Sequence, residues 1–114
     1  MTSYESHLQP KPFDEIKAGL RTYEIALNDE DHRAILPGDE IVFKRRHELT
    51  EELTVVVEEH LYFPNLQRLL DKIPLKELGD FKSELEFLQS FMAHHRPEAM
   101  QRSGIAALKI KIKA

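Results

Sequence analysis

The chain has 114 residues, of which 41% are hydrophobic and 32% charged, and its formal net charge is −4 at pH 7. These values are typical of one globular domain, and they argue against extended disorder and against a wholly basic, DNA-coating surface. The absence of cysteine excludes disulfides, thiol nucleophiles and cysteine-ligated metal centres. We expect a single domain over residues 1–114, with residues 1–6 loosely attached.

The sequence contains no feature that predicts contact with a membrane. No apolar run approaches the roughly 20 residues that a bilayer-spanning helix needs. Residues 1–7, MTSYESH, lack the basic start and apolar run of a signal peptide. We therefore expect a cytoplasmic protein with no membrane partner, while the sequence leaves the oligomeric state open.

The first predicted element is a short helix in HLQPKPFDEIKAG, residues 7–19. Its two prolines delay the helix until about Pro12, which fits a first helical turn, and Gly19 ends it. Its core-facing residues are Phe13 and Ile16. Residues 21–28 then alternate with the period of a half-buried strand. The core-facing residues of this strand are Tyr23, Ile25 and Leu27.

Two longer strands follow and predict a hairpin. Polar clusters at 28–32 and 36–40 indicate turns. The strands IVFKRR at 41–46 and LTVVVEEHLYF at 53–63 are then separated by a short polar segment. A connection of this length favours antiparallel pairing, and the β-branched run in the second segment is typical of a strand.

Two clear helices come next. NLQRLLDKI at 65–73 has apolar residues at helical spacing, with Asn65 as its N-cap. Ser83 begins another helix, and Glu86 three residues later completes a capping-box pattern. Pro97 lies just beyond the end of this helix. The residues expected to form its buried stripe are Leu85, Leu88, Phe91 and Met92.

The chain closes with a strand, GIAALKIKIKA at 104–114. Its alternation predicts one buried face, and the opposite face is expected to be exposed. The inward residues are Ala106, Leu108, Ile110 and Ile112; the outward ones are Ala107, Lys109, Lys111 and Lys113. Short strands separated by helices without regular alternation predict an α+β fold, in which helices flank a small β-barrel of about five or six strands.

The strand at 21–28 carries an unusual polar face. Thr22, Glu24, Ala26 and Asn28 point to the same side, and Arg21 precedes them. One interpretation is the solvated face of an edge strand; the other is a ligand cleft containing Glu24 and Arg21. A neighbouring guanidinium favours the ionised form of a carboxyl group, so we expect Arg21 to lower the pKa of Glu24.

Other common sites are not indicated. Six histidines are present, but adjacent His94 and His95 would project about 100° apart on a helix, and no HExxH or similar metal-binding spacing occurs. Ser103 does not lie in a G-x-S-x-G nucleophile motif. Four scattered glycines form no phosphate-binding loop. We expect neither a metal nor a cofactor.

Residues 7–43, HLQPKPFDEIKAGLRTYEIALNDEDHRAILPGDEIVF, resemble the ASCH domain family of the PUA-like superfamily. That family shows a His-Leu start, a Pro-Phe-x-x-Ile-x-x-Gly helix, a Lys-Thr-x-Glu-x-Arg strand and a Gly-Asp-x-Ile-x-Phe strand. The resemblance continues through YFPNLQRLLDKIPLKELG at 62–79 and SGIAALKIKI at 103–112. It implies a PUA-like β-barrel with flanking helices.

The resemblance implies binding of RNA or modified nucleosides in a cleft beside the 21–28 strand. Some members of the family resemble ribonucleases, and others are amidohydrolases acting on acetylated cytidine. Thr22 and Glu24 match the family strand, whereas Arg21 replaces its lysine and Ala26 its arginine. Unlike lysine, arginine does not lose its proton to act as a base, so we do not expect the amidohydrolase activity.

We therefore expect a protein that binds single-stranded RNA or a nucleotide beside this strand. The basic residues expected to contact phosphates are Arg33, Lys44, Arg45 and Arg46. A base would stack on His7, Tyr23 or Tyr62, although Tyr23 and Tyr62 also fit packing roles. The expected ligand-binding residues are His7, Lys17, Gly19, Arg21, Thr22, Glu24, Asn28, Arg33, Lys44 and Arg45.

Two alternatives stay open. The protein could be a ribonuclease or modified-nucleoside hydrolase in which Glu24 is the acid or base and Arg21 stabilises developing negative charge. It could also be an interaction protein whose cleft no longer binds a nucleic acid. The sequence does not settle whether the protein is an enzyme.

Overall fold

The computed structural model describes residues 1–114 and contains one five-stranded sheet with five α-helices. The strands are β1 (Ser3–Leu8), β2 (Tyr23–Leu27), β3 (Glu40–Arg45), β4 (Glu52–Phe63) and β5 (Ile105–Ile112). The helices are α1 (Pro10–Lys17), α2 (Glu30–Arg33), α3 (Leu66–Lys72), α4 (Glu84–Met92) and α5 (Pro97–Ser103), with a 3-10 turn at Leu75–Glu77. None of the helices is long and apolar enough to cross a membrane.

The sheet is strongly curled into a half-barrel, with the strand order β1-β3-β4-β5-β2. The pair β1–β3 is parallel, and the other three pairs are antiparallel, including the predicted β3–β4 hairpin. The predicted α+β fold with a small curled sheet of five strands and flanking helices is confirmed. Because the half-barrel does not close, β1 and β2 are its two edges.

Residues 1–6 were expected to be loosely attached. Instead, most of them belong to the edge strand β1. Tyr4 pairs with Ile41 in the parallel ladder. The carboxylate of Asp39 accepts hydrogen bonds from the backbone N–H groups of Thr2 and Leu36, each at 2.9 Å. The partner strand lies about 40 residues away along the chain, so no local pattern in MTSYESH indicates this pairing.

Two hydrophobic clusters lie on opposite faces of β5. Ile105 and Ala107 belong to the cluster beneath α3 and α4, whereas Leu108 and Ile110 belong to the cluster shared with α1, β3 and β4. The expected exposure of Ala107 is therefore wrong, because helices cover the second face of this strand. Ile112, expected to be buried, is exposed where the strand leaves the core.

The predicted helices occur, with corrected boundaries and faces. Asn65 and Ser83 act as N-caps by accepting hydrogen bonds from the N–H groups of Arg68 and Glu86. Helix α1 starts at Pro10 rather than Pro12, and β2 is shorter than the predicted 21–28. In α4 the buried residues are Phe87 and Phe91, while Leu85 and Met92 are exposed. The predicted turn at 28–32 contains α2, and α5 was not predicted.

Candidate functional site

A cleft of about 560 Å³ lies where the edge strands β1 and β2 face each other across the open side of the half-barrel. We call it the seam cleft. Strand β1 contributes His7 and Leu8, and strand β2 contributes Glu24 and Ile25. Helices α1 and α4, the segments joining them to the sheet and the end of β3 supply the remaining wall. The curl of the sheet thus produces a concave surface containing the predicted carboxylate.

Three charged side chains form the polar part of the seam cleft. Arg21 lies between two carboxylates: its Nη1 is 3.6 Å from Glu15 Oε1 and its Nη2 is 3.4 Å from Glu24 Oε1. The side chains of Arg21, Glu15 and Glu24 are only 14%, 8% and 13% exposed. Arg21 Nε is buried with no hydrogen-bond partner. One guanidinium is therefore shared by two nearly buried acids and retains an unused donor.

The backbone around Arg21 explains why this side chain is held in place. The N–H groups of Leu20 and Arg21 both donate to the carbonyl of Glu15 in α1, and the N–H of Thr22 donates to the carbonyl of Glu77. Gly19 precedes them with φ of +80°, a conformation that favours glycine, and lets the chain turn after α1. The loop is fixed on both sides, so the guanidinium is positioned by the fold.

Glu15 is fixed at its second oxygen. Its Oε2 accepts a hydrogen bond from the N–H of Asp80 at 2.7 Å. The adjacent Gly79 has φ of +134°, and a Cβ placed there would lie 3.0 Å from Glu15 Oε1. A glycine at this position permits the close approach of the carboxylate to the backbone. Glu15 thus fixes the far side of Arg21 and leaves the Glu24 side facing the cleft.

Burial raises the pKa of Glu24 above its ordinary value of 4.5, because transfer out of water disfavours the ionised form. The positive charge of Arg21, and to a smaller degree that of His32, acts in the opposite direction without reversing the shift. Arg21 thus lowers the pKa of Glu24 as expected, but burial outweighs this effect and the net shift is upward. The sequence shows the partner of this carboxyl group but not its desolvation.

Aromatic side chains form the opposite wall. Phe81 and Phe87 meet edge to face, with ring centroids 5.3 Å apart and an interplanar angle of 79°. His95 stacks on Phe91 with centroids 4.2 Å apart. Burial lowers the pKa of His95, and the charge of His94 adds to this effect. Lys11 lies 5.4 Å from the centre of the Phe81 ring. The cleft therefore combines hydrogen-bonding groups with aromatic surfaces.

A smaller inner cavity of about 260 Å³ lies beyond Glu24, inside the half-barrel. Glu24 and Ile25 line both spaces. The inner cavity is mainly apolar, with Ile41, Phe43 and Leu108 in its wall. No group of three or more histidine, aspartate or glutamate side chains in the structure is arranged to hold a metal ion.

This fold occurs in solved structures. The chain is similar to the crystal structure of hypothetical protein PH0355, with 26% identity and a TM-score of 0.87 over 98% of this chain and all of that one. It is also similar to the solution NMR structure of protein PF0455 from Pyrococcus furiosus, with 26% identity and a TM-score of 0.77 over 97% of each chain. No protein-family model and no curated protein matches the chain.

Of the residues expected to bind the ligand, the structure brings His7, Arg21 and Glu24 into the seam cleft. His7 lies on β1, where its Nε2 is 3.0 Å from Glu5 Oε2. Gly19 shapes the preceding turn but does not line the cleft. The predicted juxtaposition of the guanidinium and the Glu24 carboxylate in a concave surface is thus observed.

Apart from Arg21 and Arg46, the expected basic residues lie outside the cleft, and most of them are already paired. Lys17 contacts Glu51 at 2.6 Å and Lys44 contacts Glu5 at 3.3 Å. Arg45 donates two hydrogen bonds of 3.1 Å to the Asp14 carboxylate. Arg33 is exposed on α2, away from the cleft. These pairs join elements distant in sequence, which is why spacing alone did not show them.

Thr22 and Asn28 also leave the predicted polar face, because both lie beyond the ends of β2. Thr22 Oγ1 donates to Glu77 Oε1 at 3.5 Å. Asn28 is buried, and its Oδ1 lies 3.3 Å from His60 Nε2. Tyr23 is in the core, and Tyr62, although 57% exposed, does not line the cleft. Neither ring is therefore offered to a ligand there. Glu15 and the aromatic wall were not predicted, because they come from other segments of the chain, whereas Arg46, which was expected to contact phosphates, does line the cleft.

Proposed function

We propose that this protein binds a nucleotide, either free or as one unpaired unit of RNA, in the seam cleft. The observation that carries the proposal is the Arg21–Glu24 pair, held at 3.4 Å in a concave site opposite an aromatic wall. The resemblance of residues 7–43 to the ASCH family supports the same ligand class. Unpaired bases are recognised in this manner, by hydrogen bonds to their edges and by contact with aromatic rings.

The dimensions and charges favour a single nucleotide over a long strand. A cleft of about 560 Å³ lies within the usual range for small-ligand sites. Glu24 can accept hydrogen bonds from an exocyclic amino group or ring N–H, and Arg21 can donate to a carbonyl. Lys17, Lys44 and Arg45 are neutralised by carboxylates. A long RNA would therefore gain few phosphate contacts beyond the cleft.

The test is calorimetric titration of the protein with the four ribonucleoside monophosphates and with a short unstructured RNA. We expect one site per chain, and Glu24→Gln should weaken binding by about tenfold or more, as expected for loss of a charged hydrogen-bond acceptor. Glu58→Gln is the matched control, because Glu58 is exposed on β4 outside the cleft. The proposal would be contradicted if the wild type bound none of these ligands, or if the wild type and Glu24→Gln bound them with equal affinity.

A second candidate function is hydrolysis of RNA or of a modified nucleoside in the same cleft. The raised pKa of Glu24 favours it, because a carboxyl group that holds its proton closer to neutral pH is better suited to general acid or base catalysis. Arg21 would then stabilise negative charge that develops during the reaction. Product formation from labelled RNA or modified cytidine by the wild type, abolished in Glu24→Gln, would support this function. Absence of turnover by the wild type would leave binding alone.

A further inference from the structure

Arg46 lies where the seam cleft meets a second depression. This polar depression of about 410 Å³ is formed by the segment after β3 together with Pro10. Arg46 is the one residue that lines both spaces. Its N–H donates to the carbonyl of Leu8 at 2.8 Å, so the backbone of Arg46 is fixed to the end of β1. This bond holds the backbone of Arg46 where its side chain reaches both spaces.

Unlike its neighbours in sequence, Arg46 has no carboxylate partner within 4.0 Å. Lys44 and Arg45 are each paired with an acid. Arg46 is exposed and makes no ion pair. A free guanidinium presents a planar set of donors that matches the oxygens of a phosphate group.

The remaining charges around the mouth are compatible with an anion there. In the cleft, Glu15 and Glu24 are engaged by Arg21. Lys11, which also lines the cleft, contacts a backbone carbonyl rather than a carboxylate. In the depression, Glu51 is paired with Lys17, which leaves Glu48 as the acid without an ion pair. Arg46 is therefore the cation without an ion pair at the junction of the two spaces, while Lys11 lies in the cleft beside Phe81.

We infer that Arg46 binds a phosphate of the ligand whose base lies beside Glu24, so that the ligand is a phosphorylated nucleoside and not a free nucleoside. This inference rests on the proposed function and deepens it. It assigns the base edge to Glu24 and Arg21 inside the cleft and the phosphate to Arg46 at its mouth.

The experiment compares nucleosides with nucleotides. Adenosine, guanosine, cytidine, uridine and their 3′- and 5′-monophosphates are titrated into the wild type, Arg46→Gln and Arg33→Gln. Arg33 is the matched control, because it is also exposed and without an ion pair but lies on α2. For the wild type we expect at least one monophosphate to bind about tenfold tighter than its nucleoside, as a charge-assisted contact predicts.

In Arg46→Gln this phosphate advantage should largely disappear, while nucleoside affinity stays within about twofold. Arg33→Gln should behave as the wild type, and added salt should reduce the advantage. Equal binding of nucleosides and monophosphates, or equal weakening of both in Arg46→Gln, overturns the assignment of Arg46 and leaves the proposed function intact. Failure of the wild type to bind any of these probes overturns both.

Discussion

At the scale of single residues, the site depends on the balance between desolvation and charge at Glu24. The carboxyl group is nearly buried, and Arg21 lies 3.4 Å away without restoring its ordinary pKa. Arg21 divides its charge between two acids, since Glu15 lies on its other side. Glu24 therefore releases its proton at a higher pH than an exposed glutamate does.

The raised pKa of Glu24 predicts how the free energy of unfolding depends on pH. Above the ordinary value of 4.5 and up to the higher folded pKa, the folded state retains a proton that the unfolded state has released. The stabilisation that this group contributes to the folded state is therefore fully present below pH 4.5 and is lost as pH rises through the folded pKa. In urea unfolding from pH 4 to 8, Glu24→Gln should gain stability relative to the wild type as pH rises, whereas Glu58→Gln should not. A difference that stays constant over this range would refute the prediction.

The residue-level predictions from sequence were right where the two partners are close together along the chain. Arg21 and Glu24 are three residues apart, so a turn into an extended strand suffices to bring them together. Glu15 was missed, and Arg46 was not distinguished from the other expected phosphate contacts, because their positions depend on the packing of α1 and on the register of β1 with β3. No signal in the sequence around Arg46 shows that its neighbours are paired and that it is not.

At the scale of elements, local signals predicted what local interactions determine. The N-caps of α3 and α4 and the β3–β4 hairpin need only nearby partners. Strand β1 was missed because it pairs with a distant strand. Helix α5 was missed because Pro97, which begins it at the first helical position, was interpreted only as the stop of α4. The pairing that brings β1 to the seam cleft was thus not visible in the sequence.

The attachment of β1 depends on Asp39, which predicts a local effect of its removal. Its two oxygens accept from Thr2 and Leu36, and these hydrogen bonds lower the pKa of Asp39. In Asp39→Ala we expect amide exchange in β1 to accelerate by about tenfold or more relative to α3, since the bond from Thr2 to a charged acceptor is lost and the turn fixed by the bond from Leu36 is weakened. Asp71→Ala, an exposed change in α3, should leave β1 protected. Unchanged exchange in Asp39→Ala would contradict this role.

The junction of α5 with β5 depends on Gly104. Its φ of +72° and ψ of −170° are accessible essentially to glycine alone, and an added Cβ would lie 2.5 Å from Tyr62 Cε1. Gly104→Ala should cost about 1–3 kcal/mol of unfolding free energy from the backbone conformation, beyond any steric effect. The double variant Gly104→Ala/Tyr62→Ala removes the steric contact with the Tyr62 ring and, because Tyr62 is exposed, little buried surface. Most of the loss of unfolding free energy should therefore persist in urea unfolding of the double variant. Full recovery would show that the contact, not the backbone, determines the cost.

At the scale of the whole molecule, β5 joins the two hydrophobic clusters into one core. Its neighbouring residues Ala107 and Leu108 are both fully buried but face different clusters. The seam cleft lies between elements that belong to both, since α4 packs in one cluster and α1 in the other. The geometry of Glu24 and Arg21 therefore depends on both clusters being intact, and the half-barrel should unfold as a unit.

This coupling predicts that damage to either cluster lowers the same cooperative transition. Leu69→Ala and Leu108→Ala remove fully buried leucines from different clusters, so each should cost about 2–5 kcal/mol. Tyrosine fluorescence and far-UV circular dichroism should then report coincident urea transitions in both variants. Leu85→Ala, at an exposed position of α4, should change stability by no more than about 0.5 kcal/mol. If Leu69→Ala instead separated the two signals, the helical side would unfold independently of the half-barrel, and the seam cleft could open without global unfolding.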